Sequence, residues 1–281
     1  MLLSSREVPD GEVWALELKW DGCRAQLRYD GRSIALRTRN GRERSADFPE
    51  LAEMASALGK HCATLDGELV CLDTDGRPDF SLLRRRLTGS TSHRHPAILQ
   101  VFDLLHLDGR PTRALGYDQR RALLEELALD GPAWRTPSSV VVTQAQDFVD
   151  RVAALGLEGV VAKRRNSRYL SGRRTSAWIK HKLRRQEQLA VTGIRRTRDG
   201  HVEGIHVARR LPDGSFAGAG SIELGLHPDL IDILEQRLAE LPPRRRGALT
   251  RYPAQVSVTA SLHGPPDRPV RDAILLDILE I

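Results

Sequence analysis

Between residues 16 and 29 apolar and polar side chains alternate almost one for one. That period of two belongs to a strand with one buried face, and it constrains the chain more than any other feature. It predicts strands over 13–18, 25–29 and 33–37, the last two joined at Asp30-Gly31, a pair suited to a tight hairpin turn. Helical spacing takes over after Asp47 and Pro49, predicting a helix over 48–58, and it returns over 117–129, 146–155 and 228–241. Residues 63–72 read as a strand interrupted at Asp66-Gly67-Glu68, because Asp-Gly pairs mark turns. Residues 98–104 form an almost unbroken apolar run, as in a buried strand, and 159–163 and 177–182 return to strand. These elements predict an α+β fold with largely antiparallel sheets and flanking helices.

After Lys182 the texture changes. The polar run Leu183-Arg184-Arg185-Gln186-Glu187-Gln188 suits a hinge, and short strands follow, separated by turns such as Asp199-Gly200 and Pro212-Asp213-Gly214. Short strands with one helix predict a small Greek-key β-barrel of the OB type. The expected domains are therefore 1–184 and 185–281.

With 281 residues, 40% of them apolar, the chain has room for a sizeable core. No apolar run approaches the roughly 18 residues of a membrane-spanning helix, and the start lacks a signal-peptide pattern. A soluble, cytoplasmic, monomeric protein is expected. Cys23, Cys62 and Cys71 are odd in number and contain no Cys-x-x-Cys pair, which predicts free thiols. The trio His93-Arg94-His95 has no metal-binding context, while Arg84-Arg85-Arg86 and Arg164-Arg165 read as solvated faces. A net charge of +6 favours polyanionic partners.

The use of lysine is more specific. Only five of the 43 basic residues are lysine, and Lys19, Lys163, Lys180 and Lys182 sit inside short strings of charged residues and glycines. Arginine supplies a permanent cation, but only an amine can lose its proton and attack. The pattern points to chemistry that needs the amine or its compact charge.

Taken in order, the strings are Lys19-x-Asp21-Gly22-x-Arg24, Arg39-Asn40-Gly41, Asp66-Gly67-Glu68, an apolar run ending Phe102-Asp103, Glu158-Gly159-x-Val161-x-Lys163 and Lys180-x-Lys182. This series resembles the covalent nucleotidyltransferases, the polynucleotide ligases and messenger-RNA capping enzymes. The resemblance is close over 13–182 and weaker through the barrel-like tail. Arg37-Thr38-Arg39-Asn40-Gly41 followed by Asp47-Phe48-Pro49-Glu50-Leu51 makes it most similar to an ATP-dependent DNA ligase, and in particular to the compact ligase domain of bacterial end-joining ligases.

The resemblance implies an adenylation domain followed by an OB-fold domain, and a lysine that takes AMP from ATP before passing it to the 5′-phosphate at a nick. Lys19 would be that nucleophile. An ordinary lysine is protonated at pH 7, so such chemistry calls for neighbouring cations or a metal that favour loss of the proton. Glu17 would recognise the adenine amino group with Leu18 beside it, and Phe102 would stack on the purine. Arg24 and Arg39 would hold ribose and phosphate or the 5′-phosphate end. Glu68 and Glu158 would lie around the ribose and a catalytic Mg²⁺ or Mn²⁺, for which hard oxygen ligands are suited. Lys163, Lys180 and Lys182 would neutralise phosphate, the last two from one face of a strand because alternate residues point alike.

At its end the sequence departs from the family. Related ligases close with an Arg-x-Asp-Lys type motif, whereas here Arg268 and Arg271 are the nearest substitutes before Asp277-Ile278-Leu279-Glu280-Ile281. Weak self-adenylation is one expectation from this. Because Lys19 lies so near the start, nicked or broken DNA is expected to be held without an amino-terminal DNA-binding domain, with a repair-protein partner assisting. An RNA ligase, a capping-type nucleotidyltransferase and a degenerate nucleic-acid-binding module of the same fold are the alternative readings.

Overall fold

The computed structural model describes residues 1–89, 95–264, 268–270 and 272–279. His93, Arg94, Arg271 and the Glu280-Ile281 end therefore lie outside the described residues. The chain divides into two compact units, Met1–Lys182 and Leu183–Ile281.

In chain order the first unit contains β1 (Leu2–Ser5), β2 (Trp14–Leu18), β3 (Cys23–Tyr29), β4 (Ile34–Thr38), α1 (Met54–Leu58), β5 (Ala63–Cys71), α2 (Phe80–Leu87), β6 (Ala97–Leu107) and β7 (Arg110–Pro111). It continues with α3 (Tyr117–Glu126), β8 (Trp134–Arg135), β9 (Val140–Val141), α4 (Ala145–Ala154), β10 (Gly159–Arg164) and β11 (Arg174–Lys182). One sheet runs β1-β11-β10-β2-β9 and is antiparallel except for the β1–β11 pair. The other runs β4-β3-β5-β6-β7, antiparallel along that path, with β8 added parallel to β6. In β3 the expected alternation is complete: Ala25, Leu27 and Tyr29 are buried, while Gln26 and Arg28 face outward. Their buried side joins Leu36, Leu65, Leu99, Val101 and Leu104 in the main core.

Three local expectations need correction. Asp66-Gly67-Glu68 is not a turn, because β5 runs unbroken from Ala63 to Cys71. Gly67 is there because a Cβ would stand 2.8 Å from the Gln100 carbonyl oxygen, so glycine marks a close approach between strands. Residues 48–58 form a 3-10 turn, Pro49–Glu53, before the short α1, yet Leu51, Met54 and Leu58 still reach the core. Finally, Arg86 is no solvated cation. Its guanidinium is buried against Glu50, the Asp47 and His95 carbonyls and the Phe48 ring.

The second unit contains β12 (Arg185–Arg196), β13 (Val202–Arg210), β14 (Phe216–Ile222), α5 (Pro228–Ala239), β15 (Arg244–Arg246), β16 (Leu249–Arg251), β17 (Ser257–Leu262) and β18 (Ile274–Ile278). The run read as a hinge is mostly the first turn-free stretch of β12: Arg185–Ala190 pair with Leu262–Ser257 of β17. Ion pairs of Glu187 with Arg185 and Arg209 let that polar stretch serve as strand. The long β12 pairs with β13, β16 and β17, all antiparallel, and Val191, Ile205, Val258 and Leu262 anchor a separate core against Leu234 and Leu238 of α5. The Arg268 carbonyl accepts a hydrogen bond from Arg209. No helix among the described residues is long and apolar enough to cross a membrane.

Candidate active site

Strand register assembles one wall of a cleft in the first unit. β10 is flanked by β2 and β11, with Val161 opposite both Glu17 and Lys180 and Lys163 opposite Ala15 and Trp178. Gly159 pairs with Lys182, and its carbonyl accepts from the Lys19 backbone N–H at 2.8 Å. Because directly opposed residues share a face and alternate residues repeat it, Lys19 and Lys182, Glu17 and Lys180, and Lys163 and Trp178 stand in three successive rows. Two glycines make the rows possible. A Cβ on Gly159, whose φ is +155°, would fall 2.1 Å from the His181 carbonyl oxygen, and one on Gly22 would fall 2.0 Å from that of Leu69.

The opposite wall comes from the second sheet, where Arg24 is paired in register with Glu68. The register between β5 and β6 shifts twice, leaving Phe102 and Leu105 as the extra residues. Such bulges re-aim side chains. Both residues leave the main core for a second cluster with Met1, Tyr169 and Trp178, and Phe102 lines the cleft.

The cleft, about 330 Å³, is lined by Glu17, Leu18, Lys19, Arg24, Arg39, Glu68, Phe102, Lys163, Lys180 and Lys182. Glu158 joins through its contacts: one oxygen lies 2.5 Å from the Lys19 ammonium and the other 3.3 Å from that of Lys182. The residues that the resemblance assigns to nucleotide, phosphate or metal thus converge on one site, whereas Arg268 belongs to the second unit. Leu2, Leu3, Trp20, Arg174 and Trp178 also line it.

At the inner end, Glu17 is buried with both oxygens engaged. Oε2 lies 2.8 Å from the Lys163 ammonium, and Oε1 accepts from the Tyr117 hydroxyl, itself 2.8 Å from the Ser139 hydroxyl. Lys163 also donates to the Phe102 carbonyl at 3.1 Å and sits 4.4 to 5.1 Å from the ring centres of Trp178, Phe102 and Tyr117. Burial lowers its pKa, and Glu17 and Asp103 oppose that shift. Arg24 is equally committed. It makes a forked pair with Asp66 at 3.1 and 2.6 Å, and donates to the Met1 carbonyl and the Tyr169 hydroxyl.

The outer end is a cluster of amines and carboxylates. Burial and then the nearby Lys182 and Lys19 lower the pKa of Lys180. Glu68 keeps some surface open to the cleft yet is densely surrounded by protein, and this desolvation pushes its carboxyl up to about 8, against the pull of Lys19 and Arg24. Among the described residues no group of three or more His, Cys, Asp or Glu side chains is placed to hold a metal ion. Glu68 and Glu158 offer hard oxygens from two side chains, and such a pair suits Mg²⁺, which keeps waters and substrate phosphates as its remaining ligands.

Tyr117, Ser139, Tyr169 and Trp178 were not found by sequence reasoning. Trp178, two residues before Lys180 on the same strand face, carried the signal that could have found it.

The model of the ATP-dependent DNA ligase domain matches residues 6–182. The chain belongs to this ligase family. It is 36% identical over 230 residues to the multifunctional non-homologous end joining DNA repair protein LigD of Mycobacterium tuberculosis, a match covering 81% of this chain and 29% of that protein. It is 31% identical over 259 residues to the bifunctional non-homologous end joining protein LigD of Bacillus subtilis, covering 83% of this chain and 42% of the relative. The chain thus spans less than half the length of these curated relatives. The crystal structure of the ligase domain from M. tuberculosis LigD superposes with a TM-score of 0.58 at 30% identity, over 95% of this chain and 89% of that domain. Membership in an ATP-dependent ligase family implies the use of ATP.

Proposed function

We propose that the chain is an ATP-dependent DNA ligase that carries AMP on Lys19 and seals nicks between a 5′-phosphate and a 3′-hydroxyl. The observation that carries this reading is the Lys19–Glu158–Lys182 arrangement at the mouth of a purine-sized cleft. Before Lys19 can attack, its ammonium must give up a proton, and the Glu158 oxygen at 2.5 Å is the acceptor at hand. The amine nitrogen then bonds to the α-phosphorus while the bond to the bridging oxygen breaks and pyrophosphate leaves. Next an oxygen of the DNA 5′-phosphate displaces the lysine from AMP. Attack by the 3′-hydroxyl on the activated phosphate closes the strand and releases AMP.

The side chains divide this work by position. Glu17, held by Lys163 and Tyr117, reads the adenine amino group beside Leu18, and Phe102 stacks on the base. Lys163 is the fixed counter-ion of Glu17 and contributes positive potential behind the α-phosphate. Lys180 and Lys182 neutralise phosphate oxygens as charge shifts to the leaving group. Arg24 has four of its five N–H donors engaged by protein, so it orients the ribose wall, leaving exposed Arg39 to meet the 5′-phosphate end. Glu68 and Glu158 would hold Mg²⁺ or Mn²⁺, which supplies Lewis-acid withdrawal of charge from the α-phosphate.

We read the first unit as the adenylation domain, ending near 184, and the second, 185–281, as an OB-type barrel. The relatives' names support a place in end-joining repair. A cytoplasmic, monomeric protein with a recruiting partner completes the proposed reading. Incubation with labelled ATP or GTP followed by denaturing electrophoresis tests the reading. ATP should label the wild type, and Lys19→Ala should abolish the label with its melting temperature intact. Labelling by GTP instead, or full labelling of Lys19→Ala, overturns it.

A further inference from the structure

Two adjoining grooves on the first unit share no lining residue with the cleft. One, about 390 Å³, lies over the outward face of β3 and includes Arg28, His106 and Arg113. The other, about 350 Å³, includes Arg113, Arg168 and Arg173. Pro111, Arg113 and Ser171 belong to both, so the grooves form one trough. No aspartate or glutamate lines either part.

The four arginines differ from those whose guanidinium groups turn into the fold. Arg24, Arg86 and Arg120 are neutralised by carboxylates. Among the described residues Arg28, Arg168 and Arg173 make no salt bridge, and Arg113 only donates to the Ser171 hydroxyl at 3.3 Å. All four are exposed. Unpaired guanidinium groups gathered along a concave surface without acidic residues raise a positive potential there, which attracts a polyanion. Gln26, Thr64 and Ser171 add the short polar donors that usually accompany phosphate contacts. The trough also has a fixed relation to the site. Arg28 is four residues beyond Arg24 on one strand, about 13 Å further along, and Arg173 directly precedes the cleft residue Arg174.

We infer that this trough is a second nucleic-acid surface, in which Arg28, Arg113, Arg168 and Arg173 hold backbone phosphates of duplex DNA away from the nick. The inference rests on the ligase reading only for the identity of the polyanion. Contacts of this kind are insensitive to base sequence and are weakened by salt, because each neutralised phosphate releases counter-ion. They would give a compact ligase part of its grip on the duplex without touching the chemistry.

The test compares wild type with the triple variant Arg28→Gln/Arg113→Gln/Arg173→Gln, by fluorescence anisotropy on a labelled nicked duplex over a range of salt. The slope of log affinity against log salt should become shallower by about 2 to 3, at about 0.9 per lost contact, with roughly tenfold or more lost in affinity at low salt. Lysine labelling by ATP without DNA should be unchanged. The single variants Arg28→Gln and Arg173→Gln should each flatten the slope by about one, which keeps the test open if the triple variant folds poorly. Replacement by lysine should restore most of the slope. An unchanged slope and affinity overturn the inference. So does normal duplex binding with loss of binding to polyglutamate, which would make the trough a protein-docking surface. If the wild type takes no label from ATP but its DNA binding still depends on these arginines, the ligase reading falls and the trough stands.

Discussion

Both oxygens of Glu17 are engaged from within the protein, one by the Lys163 ammonium and one by the Tyr117 hydroxyl. This makes the carboxylate a fixed acceptor rather than a mobile one, and fixed acceptors discriminate between bases because no reorganisation is needed when the amino group arrives. Removing the Tyr117 donor leaves a buried carboxylate oxygen short of a partner, a loss of about 1 to 3 kcal/mol. Tyr117→Phe is therefore expected to raise the KM for ATP in lysine labelling about tenfold while the maximal extent of labelling is kept. An unchanged KM would reduce Tyr117 to a packing role. Phe102→Ala should also weaken ATP binding, by about 1 to 3 kcal/mol on the scale of base–aromatic stacking. Calorimetric titration with ATP separates the two variants from any effect on the chemical step.

At the scale of elements, β6 does two jobs that its apolar run conceals. Leu99, Val101 and Leu104 fill the main core, while the bulge residues Phe102 and Leu105 belong to the cluster under the cleft. The sequence shows a buried strand there but not the two slips of register, because an uninterrupted apolar run has no alternation to betray them. Period two was legible where one face is wet, as in β3 and in the Lys180, Lys182 pair. The partners that fix the site were not, since Tyr117 meets Glu17 across 100 residues of chain. Asp103, the next residue after Phe102, is clamped by Arg120 of α3 at 2.7 and 2.9 Å, and the same guanidinium donates to the Leu115 and Ser167 carbonyls. Breaking a buried pair by removing one partner leaves a charge uncompensated and costs about 3 to 5 kcal/mol. Arg120→Ala should thus lower urea stability by about that amount, and a smaller loss in equilibrium unfolding would mean that water reaches Asp103.

For the molecule as a whole, each unit has its own core, so unfolding is best followed unit by unit. All four tryptophans, Trp14, Trp20, Trp134 and Trp178, lie in the first unit, and their fluorescence reports on it alone. That unit contains Glu68, whose carboxyl desolvation raises from the ordinary 4.5 to about 8. Between those values the unfolded chain has released this proton while the folded unit retains it. More protons bound in the folded state means that stability falls as pH rises. The contribution is complete below about 4.5 and is lost as pH rises through about 8. Glu68→Gln keeps the side chain's shape and has no proton to lose. Measured in EDTA by tryptophan fluorescence, its melting temperature should gain on the wild type steadily from pH 5 to pH 8, then hold a constant lead. Adding Mg²⁺ at pH 8.5 should narrow that lead by stabilising only the wild type, since the ionised carboxylate binds the cation and the amide does so poorly. A lead independent of pH would show that the Glu68 proton is not retained across this window. A lead that Mg²⁺ leaves untouched would remove Glu68 from the proposed metal site.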